Sequence, residues 1–242
     1  MATATLIPTS NYHPAFSSPG QSNNADRFFS GLDDETVSAL AKVSSPSDYD
    51  AEEIVFSEGD PAHGMYLLVS GKVKLTVSSS DGKSLILRIL NPGDVFSLSS
   101  VMLARPQETS AEALERSTVS FVKRADLFRL MNQHGDLAMK LAHELSLEYA
   151  GLCEEMSTLG LQRSAMSRLA KLIVGWTEGM SIERGPVQLD CPHTHEVVAQ
   201  MIGTSRETVT RLLHQLRHQR IAAIKNEVLI INNFPALQAL AV

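Results

Sequence analysis

The chain predicts an α+β fold in three parts: a small antiparallel β-structure, one long helix, and a helix-turn-helix with a β-hairpin wing. Three patterns predict it. Between Ile54 and Val122 apolar residues alternate with period two, and turn residues punctuate the runs. From about Gly135 to Leu159 apolar residues recur at heptad spacing. From Thr194 to Ile231 two short helical periodicities flank Gly203, and a hairpin pattern follows.

Residues 1–25 are rich in Ser, Thr, Asn and Pro with almost no charge, which predicts a disordered tail. Asp33 to Val43 predicts a short helix with Leu32, Val37, Leu40 and Val43 on its apolar side. Met65–Val69, Val73–Val77, Leu85–Leu90 and Val119–Val122 read as strands. Ser70-Gly71, Asp81-Gly82 and Pro92-Gly93 lie between or beside them, and Asp-Gly is a strong hairpin signal. Many short strands with regular turns suggest a small barrel or jelly roll.

In the long helix, Ala138, Ala142, Leu145, Tyr149, Leu152, Met156 and Leu159 are spaced 4, 3, 4, 3, 4, 3. That is an a/d seam, which favours pairing of two such helices. The alternative is a helix packed only on its own β-structure, and Leu137 and Leu141, off the seam, suit that contact. Gly160 to Gln162 reads as a hinge. Ser164 to Trp176 predicts an amphipathic helix with Leu169, Leu172, Ile173 and Trp176 as core, and Val187-Gln188-Leu189 a strand. Ile224 and Val228–Ile231 flank Lys225-Asn226-Glu227 as the wing.

Charge is unevenly divided. Residues 161–242 hold 9 Lys+Arg against 6 Asp+Glu, whereas the first 160 hold 12 against 21. The net of −6 would suit nucleic acid poorly, but the basic excess lies with the helix-turn-helix. His193, His195, His214 and His218 also lie there, as surface residues or phosphate contacts. Two distant cysteines, Cys153 and Cys191, supply neither a disulfide framework nor a zinc pattern. Without a signal-peptide pattern or a membrane-length apolar run, the expectation is a cytoplasmic protein with no membrane partner.

Within the helix-turn-helix, Val197, Val198, Met201 and Ile202 mark the first helix, and Val209, Leu212, Leu213 and Leu216 the second. Arg206, Glu207, Thr210 and Arg211 fall on the outer face. Arg can fork onto guanine O6 and N7, and Glu can accept from cytosine N4, so this face suits a major groove. Thr194, Ser205, Arg206, Glu207, Thr210 and Arg211 are the candidate DNA contacts. The purely structural alternative is a capping box, with Thr204 as N-cap and Glu207 reaching back.

Ser205-Arg206-Glu207-Thr208-Val209-Thr210-Arg211 closely resembles the reading helix of the Crp/Fnr family of bacterial transcription regulators, which opens Ser-Arg-Glu-Thr-Val-x-Arg. Thr210 stands where the family's catabolite-responsive member has glycine. The resemblance runs from about Phe28 to Asn232. Glu58-Gly59-Asp60, Ser70-Gly71-Lys72 and Pro92-Gly93-Asp94 fall in the order of the family's cyclic-nucleotide-binding β-roll. It implies a β-roll sensor domain at 26–134, a dimerisation helix at 135–160 and a winged-helix DNA-binding domain at 161–242. Leu145, Tyr149, Leu152, Met156 and Leu159 form the expected dimer seam. The implied partners are a pseudo-palindromic DNA operator with a core like TGTGA, a second copy of the chain, and RNA polymerase.

The family's cAMP receptors use an arginine for the cyclic phosphate and a glutamate for the ribose. They follow that arginine with a serine and place a Thr-Ser pair on the long helix. A gapless count puts Glu108, Leu98, Thr109 and Leu152-Cys153 at those positions, with Ser99 beside Leu98. A carboxylate at the phosphate position repels the ligand, so the cAMP mode is expected to be lost. A loop slip would bring Arg105 nearer. No iron–sulfur cluster is expected, because the four-Cys ligand set is absent; the cofactor stays unknown. Haem is harder to exclude, with His63 and His143 as candidate ligands, and Cys153 reads as a redox thiol or, more simply, a small buried apolar residue. Two rival functions remain: a constitutive DNA-binding regulator with a ligand-free β-roll, and a cupin-like metal enzyme using Glu58 and His63. The latter lacks His-x-His on a strand, a nucleophile elbow and a Walker loop.

Overall fold

The period-two segments build two four-stranded antiparallel sheets in the computed structural model of the chain. The structure describes residues 26–241 apart from 81, 162–163, 178–179, 181–185, 191–192 and 226–227. The 1–25 tail, Gln162 of the hinge, Cys191 and the wing tip Asn226-Glu227 therefore lie outside the described residues.

Helices α1 (Asp26–Phe29) and α2 (Asp34–Val43) open the fold. Strands β1 (Ser44–Tyr49), β2 (Ile54–Phe56), β3 (Gly64–Ser70), β4 (Val73–Ser78), β5 (Ser84–Leu90) and β6 (Val95–Phe96) follow, then α3 (Leu98–Leu103), β7 (Ser110–Ala113) and β8 (Ser117–Lys123). Helix α4 (Arg124–Gln133) leads into the long α5 (Gly135–Leu161). The C-terminal unit comprises α6 (Ala165–Gly175), β9 (Val187–Asp190), α7 (His195–Met201), α8 (Arg206–His218), β10 (Ala222–Lys225), β11 (Val228–Ile231) and α9 (Phe234–Leu240).

One sheet runs β1-β8-β3-β6 and the other β2-β7-β4-β5. Phe56, Leu68, Val73, Leu75, Leu90, Phe96 and Val119 close between them, with the Tyr66 and Phe96 rings stacked at 5.3 Å. The outer face of the first sheet carries Met65, Leu67 and Val122 against Phe28, Leu40, Leu127, Leu130, Leu137 and Leu141 from the helices. Gly71 turns β3 into β4 at φ +85°, and a Cβ there would meet the Ser117 side chain and backbone; only glycine fits that approach.

The outer face of the second sheet carries Ile86 and Ile89, which join one core with Leu169, Ile173, Trp176, Val198 and Ile202 of the C-terminal unit. Strict alternation would place Ile86 and Ile89 on opposite faces. A register shift in the β4–β5 ladder, where Leu75 pairs Arg88 and Thr76 pairs Ile86, leaves Leu87 as an extra residue. Such a bulge re-aims side chains. Leu87 and Arg88 consequently line one cavity while Ile86 and Ile89 meet the C-terminal unit.

Two expectations about elements are corrected, and four strands are added to those expected. Helix α5 continues through Gly160 to Leu161, so Gly160 is not a break; hydrogen bonding of the helical backbone outweighs the propensity cost of one glycine. β1, β2, β6 and β7 were not read, being short or polar, as Ser-Ser-Pro-Ser-Asp-Tyr in β1 shows. The helix expected at Asp33–Val43 starts at Asp34, with Asp33 as N-cap.

Candidate nucleic-acid interface and effector cavity

Two capped helices build the helix-turn-helix. Thr194 is the N-cap of α7, its hydroxyl accepting from the Val197 amide at 3.3 Å. The connecting turn takes Gly203 at φ 62°, and the Thr204 amide closes on the Ala199 carbonyl at 2.9 Å. Arg168 Nε donates to the Ile202 carbonyl at 2.7 Å, tying α6 to this turn. Val209, Leu212 and Leu216 are buried, which fixes the rotation of α8 and leaves Arg206, Glu207, Thr210 and Arg211 exposed on the other side.

The capping-box expectation shifts by one residue. Ser205, not Thr204, is the N-cap of α8, accepting from the Thr208 amide at 3.3 Å. The Glu207 carboxyl is held below the usual carboxylate range, chiefly by its own main-chain amide and then by the Ser205 hydroxyl. It is an ionised acceptor at the positive end of α8. The Thr210 hydroxyl donates to the Arg206 carbonyl at 3.0 Å and lies 3.0 Å from His195 Nδ1, joining α7 to α8. The hydroxyl being engaged, the methyl is what Thr210 has left to offer a base. The wing is the β10–β11 hairpin, extended to three strands by β9.

The second candidate site is a cavity of about 340 Å³ between the β4–β5 strands, the segments around Ser99 and Glu108, and α5. Leu75, Leu87, Arg88, Ser99, Glu108, Thr109, Leu145, Glu148, Tyr149 and Leu152 line it. Of the expected pocket residues it brings together Ser99, Glu108, Thr109 and Leu152. Two are corrected. Leu98 is 1% exposed and packs in the helix-covered core, because Ser97 turns the chain at φ 65° into α3. Cys153 is exposed in the protomer and does not line the cavity. Arg105 is exposed and also stands outside it.

Arg88 and Glu148 are the lining residues that sequence reasoning missed. A lone charge inside the apolar run Leu85–Leu90 was the available signal. Arg88 is 7% exposed, with its guanidinium 3.2 Å from Asp94. Asp94 also takes Arg27 at 2.7 Å, and Arg27 reaches Glu144 at 3.5 Å, where Lys140 pairs at 3.4 Å. This network ties α1, β5 and α5 together, with three cations, Arg27, Arg88 and Lys140, on the two carboxylates Asp94 and Glu144. Ser99 Oγ donates to Glu108 at 2.9 Å. Burial pushes the Glu148 carboxyl up; Arg88 pulls it down and Glu108 pushes it up again.

Helix α5 has two faces. Leu137, Leu141 and Glu144 are buried on the β-roll side, whereas Tyr149 and Met156 are 71% and 73% exposed and Leu152 is 39% exposed. Leu145 is half-buried against the core. The Leu159 side chain lies outside the described residues. Among the described residues no helix is long and apolar enough to cross a membrane, and no group of three or more His, Cys, Asp or Glu is placed to hold a metal ion.

The family profile described as "Cyclic nucleotide-binding domain" matches residues 46–134, and "Crp-like helix-turn-helix domain" matches 167–240. The chain is 25% identical over 206 residues to the "CRP-like cAMP-activated global transcriptional regulator" of Mycobacterium tuberculosis, covering 85% of this chain and 92% of that one. It is 27% identical over 193 residues to the "Global nitrogen regulator" of Synechocystis sp., covering 78% and 85%. Among solved structures, FixK2 from Bradyrhizobium japonicum superposes with a TM-score of 0.69 at 27% identity, over 83% of this chain and 98% of that one. These relatives are transcriptional regulators, not enzymes.

Proposed function

The chain belongs to the Crp/Fnr family of transcription regulators, and from that premise we propose that it acts as a cytoplasmic homodimer on pseudo-palindromic DNA under an effector other than cAMP. DNA binding itself follows from the family's helix-turn-helix. The observation that carries the dimer is the apolar face of α5: Tyr149, Leu152 and Met156 stay exposed while Leu137 and Leu141 are spent on the β-roll. Two reading helices brought together this way meet half-sites about one turn apart, ~34 Å. A core like TGTGA is the half-site that the reading helix suggests.

Loss of the cAMP mode is supported by the cavity. Glu108 lines it, and Arg88, the arginine among its described lining residues, already faces Asp94. A cyclic phosphate entering there meets two carboxyl side chains, Glu108 and Glu148. An effector acts by tilting α5 and the DNA-binding units, and β5, with the cavity on one face and the C-terminal unit on the other, is the second route. RNA polymerase is the partner through which such a regulator would act on transcription.

The test is sedimentation with and without a palindromic operator, beside calorimetry with cAMP. A dimer on one palindrome and no micromolar cAMP binding is the expected result. A monomer binding one half-site with full affinity overturns the dimer, and tight cAMP binding overturns the effector reading. A constitutive regulator is the second reading, favoured if emptying or blocking the cavity leaves DNA affinity unchanged.

A further inference from the structure

We propose that the β-roll cavity takes a small organic cation, an amine or guanidinium on an apolar body. The proposal rests on the reading of this cavity as the effector site. Its size, about 340 Å³, falls in the range of small-molecule pockets. Leu75, Leu87, Leu145 and Leu152 give aliphatic walls, and Tyr149 adds an aromatic face at the mouth. An apolar body is therefore required of any occupant.

The polar groups choose the charge. Among the described residues, two carboxyl side chains, Glu108 and Glu148, share the cavity with one guanidinium. That guanidinium lies 3.2 Å from Asp94, which it shares with Arg27, and it also attracts Glu148, so one of the two carboxyl groups is partly answered and Glu108 is left over. Glu108, exposed at the rim of the cavity, accepts from the neutral hydroxyl of Ser99 at 2.9 Å. Glu148 is attracted by Arg88 and, to a smaller extent, repelled by Glu108 across the cavity. An ammonium placed between them relieves that repulsion, whereas an anion adds to it. Hydrogen bonds from N–H donors to the Glu108 and Glu148 carboxyl groups fix the head group, the bound cation favouring the ionised form that burial opposes at Glu148, and the ring of Tyr149 tolerates a neighbouring cation.

The experiment titrates the full-length protein with phenethylamine, 2-phenylethanol and phenylacetate, which share a phenyl body and differ in charge. Calorimetry and the thermal midpoint are read for each. The amine is expected to bind about tenfold or more tightly than either analogue, with its preference lost in the Glu108→Gln, Glu148→Gln double variant. Thr109→Trp, which fills the cavity, should abolish binding of all three.

Equal binding of the three, a preference for phenylacetate, or an amine preference that survives in the double variant overturns the cation class. If binding persists in Thr109→Trp, the effector-site reading itself falls, which separates the two failures. Methyl chemical shifts of Leu75, Leu87, Leu145 and Leu152 in the wild-type protein read the same question without any variant. Movement with the amine alone supports the proposal; movement with the alcohol or the acid alone, or with none of the three, overturns it.

Discussion

Arg206 and Arg211 are exposed at the start of α8 with their backbone fixed by the Ser205 cap and the buried Val209 and Leu212. Each is expected to pair with a guanine, and Glu207 with a cytosine. Arg206→Ala and Arg211→Ala should each weaken operator binding by about 1–3 kcal/mol and relax preference at one base pair. Arg217→Ala, later on the helix, should weaken all sequences alike through lost phosphate contact. Selection from random DNA separates the two outcomes; equal enrichment of the same core by wild type and Arg206→Ala would reduce Arg206 to a surface charge. Asp94 is a different kind of residue. It is 4% exposed and receives both Arg27 and Arg88, so Asp94→Ala should cost about 3–5 kcal/mol in chemical denaturation.

At the scale of elements, α5 divides its work between two faces. Leu141 is fully buried against the β-roll, and Leu141→Ala should cost about 2–5 kcal/mol of fold stability. Met156→Glu lies on the exposed face. It should leave the melting of the protomer nearly unchanged but shift the sedimentation profile toward monomer, since charge at the seam is repelled across a symmetric contact. A dimer unaffected by Met156→Glu would remove this face from the interface. Heptad spacing made both faces readable in advance, because Leu137 and Leu141 fall off the seam. The bulge at Leu87 was not readable. It depends on how β4 pairs with β5, and a strand's own alternation carries no sign of an inserted residue.

For the whole molecule, the contact between the β-roll and the C-terminal unit has a titratable group. The His193 ring stands 6.1 Å from that of Trp176, itself 2% exposed. Burial lowers the His193 pKa from 6.5 to about 4, and the charge of Lys72 on the β-roll adds in the same direction. The folded form refuses a proton that the unfolded chain accepts. The stabilisation is thus complete above pH 6.5 and is lost as pH falls from there towards about 4. At 1.36 kcal/mol per pH unit the loss is at most about 3 kcal/mol. Thermal midpoints across this window should fall more steeply for the wild type than for His193→Gln; parallel curves would show that His193 carries no such linkage.

Local chemistry was enough for the recognition helix, the long helix and the four longest apolar strands. Each is written in nearest-neighbour periodicity, and the Ser205–Arg211 motif is contiguous in the chain. The cavity was another matter. A count along the chain named Ser99, Glu108, Thr109 and Leu152, which line the cavity, and Leu98 and Cys153, which do not, and it passed over the lining residues Arg88 and Glu148. Those errors share a cause. A pocket is closed by side chains from distant segments, and which residue of a strand or turn faces inward depends on a left-handed turn at Ser97 and a register shift in β5. Only the packed sheets decide such rotations, because the buried faces on either side of each backbone, not its own sequence, fix which way it turns.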